Sequence, residues 1–126
     1  MSQVAHFEFT ADDTQRARAF FEGAFGWRFE KWEGGAKEYW LVSTGGPGEE
    51  KAPGIDGGMG SRQQMHAGVV NIIDVENVDA ELTRITAAGG EVAVPKQAIP
   101  GTGWVAYFTD PEGSLWGVCQ EDERTA

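Results

Sequence analysis

The order of signals in residues 3–62 recurs in residues 66–121, and no other feature constrains the fold as much. Each stretch opens on a strand-like run: QVAHFEFT, with Ala5, Phe7 and Phe9 on one parity and His6, Glu8 and Thr10 on the other, and then Ala67–Val75. Each then offers a helix cap, Asp13 or Asn77, before an apolar stripe of helical spacing that a glycine ends. At one constant offset Asp13 falls on Asn77, Phe21 on Ile85 and Gly26 on Gly90; at a second offset Gly54 falls on Gly113 and Gly58 on Gly117. Three further strands close each half: Trp27–Trp32, Glu38–Thr44 and Ile55–Arg62, then Glu91–Ile99, Gly103–Thr109 and Ser114–Glu121. The loop Gly45–Gly54 and the turn Asp110-Pro-Glu-Gly113 punctuate them. The chain therefore reads as an α+β protein of two tandem βαβββ modules. A sheet with a helix on one side and nothing on the other must combine with a second such sheet, so the expected architecture is a curved mixed sheet with a concave cleft.

In the first helix Ala17, Phe20, Phe21, Ala24 and Phe25 form the expected core-facing stripe. Burying its three Phe side chains would contribute roughly 1.5–3 kcal/mol each.

Composition narrows the function classes. Twenty acidic residues against ten basic ones give a formal net charge of −10. That surface repels phosphate backbones, so no nucleic-acid partner is expected. No apolar run reaches the roughly 20 residues of a membrane helix, and MSQVAHFEF has no secretory pattern. One cysteine, Cys119, excludes an intrachain disulfide and any multi-cysteine metal site, which points to the cytoplasm.

The opening HFEFTADDTQRARAFFEGAFGW, the second opening VVNIIDVENVDAELTRITAAGGEV and the closing TGWVAYFTDPEGSLWGVCQ together resemble the vicinal oxygen chelate superfamily of glyoxalases, bleomycin-resistance proteins and extradiol dioxygenases, in particular glyoxalase-related members of unassigned substrate. The resemblance covers about residues 4–120. It implies a glyoxalase-like fold, a homodimer in which modules of two chains complete each cleft, and a divalent metal held by one side chain from the first and one from the last strand of each module. Carried over residue by residue, those positions are His6, Gly58, Val70 and Gly117. Only His6 is a ligating type, and one imidazole cannot hold a catalytic ion. Shifts of register bring in Asp56 and His66, of which His66 precedes its strand. No metal and no other cofactor is therefore expected, and a divalent ion at His6 is the minority alternative.

His6 and Glu8 alternate onto one face and form a candidate acid–base pair, in which the carboxylate would fix the imidazole tautomer. Trp40, Trp104, Trp116 and Tyr107 lie on strands and are candidates to wall a flat, apolar or aromatic ligand, with Lys96 placed to meet a ligand carboxylate. The leading expectation is a metal-independent protein that binds or sequesters a small molecule in an aromatic-lined cleft. The alternative is a lyase, isomerase or dioxygenase that uses His6 with a divalent metal, or with Glu8 as acid–base pair.

Overall fold

The computed structural model describes residues 2–45, 54–66 and 68–125; the loop expected at 45–54 lies largely outside them. The chain falls into two compact units, residues 6–69 and residues 70–126 with 1–5. The α+β class and the twofold order of elements are as the sequence implies.

The first unit contains β1 (Gln3–Ala11) from His6 onward, α1 (Thr14–Phe25), β2 (Arg28–Lys31), β3 (Tyr39–Ser43) and β4 (Asp56–Ser61). Its strand order is β2-β3-β4-β1, with β1 parallel to β4 and the other pairs antiparallel. The Asp13 carboxylate accepts the Arg16 N–H at 3.0 Å and starts α1. Gly26, at φ 71°, ends it, its N–H returning to the Glu22 carbonyl at 3.1 Å and the Trp27 N–H to that of Phe21 at 3.4 Å.

Strand alternation sorts the side chains. Phe7, Phe9 and Ala11, with Val42, Met59 and Trp40, pack with Ala17 and Phe21 of α1 and with Trp27 and Phe29. His6, Glu8 and Thr10, paired in register with Asp56, Gly58 and Gly60, belong to the opposite face. The expected burial of three phenylalanines is not met. Phe21 joins the core, whereas Phe20 and Phe25 stay 58% and 63% exposed. Phe20 lies about 100° round the helix from Phe21, and on the flank of the Phe21–Trp27 pair, whose centroids are 4.7 Å apart, Phe20 meets Phe21 edge-on and Phe25 tilts against Trp27.

The second unit contains β5 (Val69–Asp74) from Val70, α2 (Val78–Ala87), β6 (Glu91–Ile99), β7 (Gly103–Thr109) and β8 (Leu115–Glu121), in the order β5-β8-β7-β6. Asn77 caps α2, its Oδ1 accepting the Ala80 N–H at 2.8 Å. Val75, Val78, Ala106, Phe108 and Val118 form the core beneath α2.

Candidate functional site

On the face of the first sheet away from α1, three titratable side chains form one hydrogen-bonded group. The Tyr39 hydroxyl donates to Glu8 Oε2 at 2.7 Å, and His66 Nε2 lies 2.8 Å from Glu8 Oε1. The side chains of His66 and Glu8 are 10% and 9% exposed. An ionised carboxylate only accepts, so with Glu8 charged both neighbours donate to it. Such burial costs several kcal/mol unless donors compensate it, and here they come from β3 and from the segment after β4.

Glycines make room for this arrangement. A Cβ built on Gly58 would fall on the Tyr39 hydroxyl, and one on Gly60 would fall on the Met65 sulfur. Only glycine at these positions lets the phenol and the thioether approach the strand so closely. The backbone turn of residues 61–65 then returns His66 to β1, where the Thr10 hydroxyl donates to the His66 carbonyl at 2.7 Å.

The sequence-derived candidates separate. Glu8 is central to the group, but the imidazole shown on it is that of His66; His6 is exposed. Neither Tyr39 nor His66 is a candidate of the sequence reading in this role. Tyr39 is legible there only as the opposite parity to Trp40, and His66 only as a displaced metal-ligand position. The assembly of His6, Asp56 and His66 does not form, because the Asp56 carboxylate accepts the Thr44 N–H at 2.9 Å while His66 turns to Glu8.

The three tryptophans pack on the helix sides of their sheets rather than wall an open face. Trp40 belongs to the core under α1, and Trp104 and Trp116 pack against the core under α2. Each indole N–H reaches a carboxylate: Trp40 to Glu38 at 2.9 Å, Trp104 to Asp122 at 3.4 Å and Trp116 to Asp110 at 3.1 Å. An indole half in the core and half at the rim needs such a partner. These bonds, after larger contributions from Thr14, Arg124 and the Ser114 N–H respectively, hold the carboxyls of Glu38, Asp122 and Asp110 below their usual range. Lys96 pairs with Asp79 at 2.8 Å and sits 4.5 Å over the Trp104 ring, so its charge has partners within the protein.

Tyr107 does face away from α2. It is the register partner of Gly117, and a Cβ on Gly117 would meet Ile72 Cδ1 at 2.5 Å and the Tyr107 ring at 3.3 Å. In the first unit, therefore, a tyrosine occupies the space at the glycine that stands at a metal-ligand position of the resemblance, and in the second Ile72 does so with the Tyr107 ring in contact beside it. The third such position, Val70, is apolar and 2% exposed. Among the described residues no three His, Cys, Asp or Glu side chains come together to hold an ion. The donor set does not fit the divalent metal implied by the resemblance.

These features define the class. Residues 3–118 match the Glyoxalase/Bleomycin resistance protein/Dioxygenase superfamily, and the chain belongs to it. Among curated relatives it is similar to the provisionally named glyoxylase CFP32 of Mycobacterium bovis and of Mycobacterium tuberculosis, 27% identical over 118 residues in each case. The match covers 89% of this chain and 43% of the relative, so the chain spans less than half the length of the curated proteins it matches. Among solved structures it is similar to a superfamily member from Vibrio splendidus (TM-score 0.65, 16% identity, 97% and 100% of the two chains covered). It is also similar to a Streptomyces coelicolor methylmalonyl-CoA epimerase in complex with 2-nitronate-propionyl-CoA (TM-score 0.66, 15% identity, 100% and 99% covered). At these identities the likeness is one of fold. No helix among the described residues is long and apolar enough to cross a membrane.

Proposed function

We propose that this chain is a metal-independent small-molecule binding protein of the glyoxalase/bleomycin-resistance type, cytoplasmic and homodimeric, with Glu8, His66 and Tyr39 as the polar centre of its binding face. The observation that carries this reading is the filling of two metal-ligand positions by other side chains, Tyr39 at Gly58 and Ile72, with the Tyr107 ring beside it, at Gly117. A carboxylate would need Tyr39 to move aside at Gly58 and Ile72 to move aside at Gly117. Elemental analysis of the purified protein tests the reading, together with thermal shift against Zn, Ni, Mn and Fe ions and a panel of small aromatic compounds. The expected result is sub-stoichiometric metal, no stabilisation by ions, and stabilisation by at least one organic compound. Stoichiometric metal that is lost in His6→Ala would overturn it. Light scattering checks the dimer, expected at twice the 13.6 kDa chain mass.

A second reading, metal-free proton transfer, draws on the Glu8–His66 contact. An imidazole held on a carboxylate has a fixed tautomer and orientation, which is what a general base requires. Turnover of a ligand found in the panel, abolished in both Glu8→Gln and His66→Gln, would favour it over binding alone.

A further inference from the structure

We propose that two copies of this chain associate through the outer flank of α1, the Phe20 ring of each copy seated in a hollow beside Phe20 of the other. This inference rests on the proposed homodimer and names the face through which it forms.

Three residues make the flank apolar. Phe20 and Phe25 are 58% and 63% exposed, with ring centroids 6.4 Å apart, and Ala24, one turn beyond Phe20, is exposed as well. Phe20 meets Phe21 edge-on at 5.0 Å, and Phe25 lies against both Phe21 and Trp27, so the core cluster fixes where the outer rings project. Large apolar side chains that stand exposed together, unlike scattered ones, mark a contact surface.

A hollow adjoins these rings on the same helix. It measures about 370 Å³ and its lining includes Ala17 and Phe20, Arg16 one turn before Phe20, and Asp12, Asp13 and Arg62. Such a volume takes a small organic group, so a phenyl ring has room in it. Phe20 thus both borders the hollow and projects beside it. A patch with a projection and a hollow side by side is self-complementary about a twofold axis: as the ring of one copy enters the hollow of the other, the reverse contact forms with it.

Charge selects a second copy as the occupant. With a net charge of −10, two copies repel over most of their surfaces. In the hollow two aspartates and two arginines cancel, and α1 carries Arg16 and Arg18 against Glu22. Two acidic chains therefore meet on this flank at the least electrostatic cost, whereas a strongly charged partner of either sign finds no net charge to pair with. Arg62 is paired with Asp12 at 2.9 Å, but among the described residues the Arg16 guanidinium has no ion pair. An incoming Phe20 ring offers it a π face, as Trp40 does for Arg18 at 3.9 Å. The flank is on the helix side of the first sheet, so association there leaves the opposite face, with Glu8, His66 and Tyr39, outside the contact. That differs from the dimer implied by the resemblance, in which modules of two chains complete each cleft. A contact centred on one 12-residue helix belongs at the small end of interface sizes, about 1,200 Å² in total, so the dimer should dissociate on dilution.

Sedimentation velocity of the full chain over a concentration series tests this, with Phe20→Asp, Arg16→Glu and Leu41→Asp as variants and the urea midpoint of each as a check of folding. The wild type should self-associate. Phe20→Asp should weaken association about tenfold or more, since a twofold contact counts each substitution twice. Arg16→Glu, which turns the hollow acidic, should weaken it too, whereas Leu41→Asp, on the opposite face and at a 43% exposed position, should leave it unchanged. A mixture of ¹³C-labelled and unlabelled wild-type chain should give intermolecular NOEs between the Phe20 ring and the Ala17 methyl, and these decide should Phe20→Asp not fold. A dimer that persists in Phe20→Asp, that Leu41→Asp breaks instead, or that lacks those NOEs would overturn the inference and leave the homodimer standing. A wild type that stays monomeric at every concentration removes this inference and the homodimer together, while small-molecule binding keeps its own test by thermal shift.

Discussion

The claim that Tyr39 fills the space at Gly58 has a sharp energetic consequence. A Cβ on Gly58 would overlap the Tyr39 hydroxyl and lie 2.6 Å from its ring Cε2, well inside any real contact. Both groups belong to paired strands, so neither withdraws without disturbing the sheet. Overpacking of this kind costs about 1–3 kcal/mol. Against it stands the backbone term, since Ala in a strand interior is favoured over Gly by roughly 0.5–1 kcal/mol. Gly58→Ala should thus be destabilising in the wild type. In a Tyr39→Ala background the obstruction is absent, and the same substitution should be neutral or stabilising by up to roughly 1 kcal/mol. The sign of the effect reverses with the background, giving a coupling energy of about 1–3 kcal/mol. Tyr39→Ala itself lowers stability, through the lost ring and through the donor removed from Glu8, but that loss is common to both arms of the cycle. Urea unfolding followed by the fluorescence of the five tryptophans measures all four proteins. If Gly58→Ala costs the same in both backgrounds, the phenol does not occupy that space, and the main support for the metal-independent reading goes with it.

Three further outcomes are expected. Phe21→Ala should cost about 2–5 kcal/mol, whereas Phe20→Ala and Phe25→Ala, on exposed rings, should stay near 1 kcal/mol or below, as urea midpoints will show. Tyr39→Phe removes one donor from a buried carboxylate and should cost about 1.5–3 kcal/mol in the wild type but much less in Glu8→Gln, which a double-mutant cycle separates from loss of packing. Asp110 is held below its ordinary pKa of 3.8 first by the Ser114 N–H and then by the Trp116 indole. Its contribution to stability is therefore full above that value and is lost as pH falls through the lower folded one; Asp110→Asn should flatten the acid limb of the urea midpoint measured from about pH 6 to about pH 2.

Local chemistry was the legible part of this chain. Asp13, Asn77 and Gly26 act as caps and stop because those roles depend only on side chains a few residues away. The Asp110-Pro-Glu-Gly113 turn is of the same kind, with Asp110 Oδ1 accepting the N–H groups of Glu112 and Ser114 at 2.9 and 3.0 Å. Strand parity was legible too, and Trp40 with Val42 does lie opposite Tyr39. What parity cannot say is which of two apolar faces meets the helix. In β3 and β7 both faces carry aromatics, and the face with Trp40 or Trp104 went to the core because Met59, Val42, Ala106 and Phe108 share it. The Glu8–His66 contact was hidden for another reason: residues separated by most of a module meet only if β1 and β4 pair in parallel with Glu8 opposite Gly58 and the turn after β4 folds back. That register is a property of the packed sheet rather than of any short stretch of sequence.

The two tyrosines reach their glycines by different routes, and the difference bears on why they are there. Tyr107 is the direct register partner of Gly117, so its ring simply lies across the neighbouring strand. Tyr39 is the register partner of Gly60 and leans diagonally toward Gly58, whose own partner is Leu41. Mere inheritance from one ancestral module would place the tyrosine at equivalent registers. Instead two distinct geometries fill the same kind of space, one with the Ile72 side chain and the Tyr107 ring beside Gly117 and one with a hydroxyl bound to a carboxylate. The first module keeps a buried Glu8, which a well-packed apolar residue would replace at no loss of stability. The first module therefore carries a buried carboxylate held by a hydroxyl and an imidazole, and on the proposed small-molecule reading the search for a ligand belongs there first.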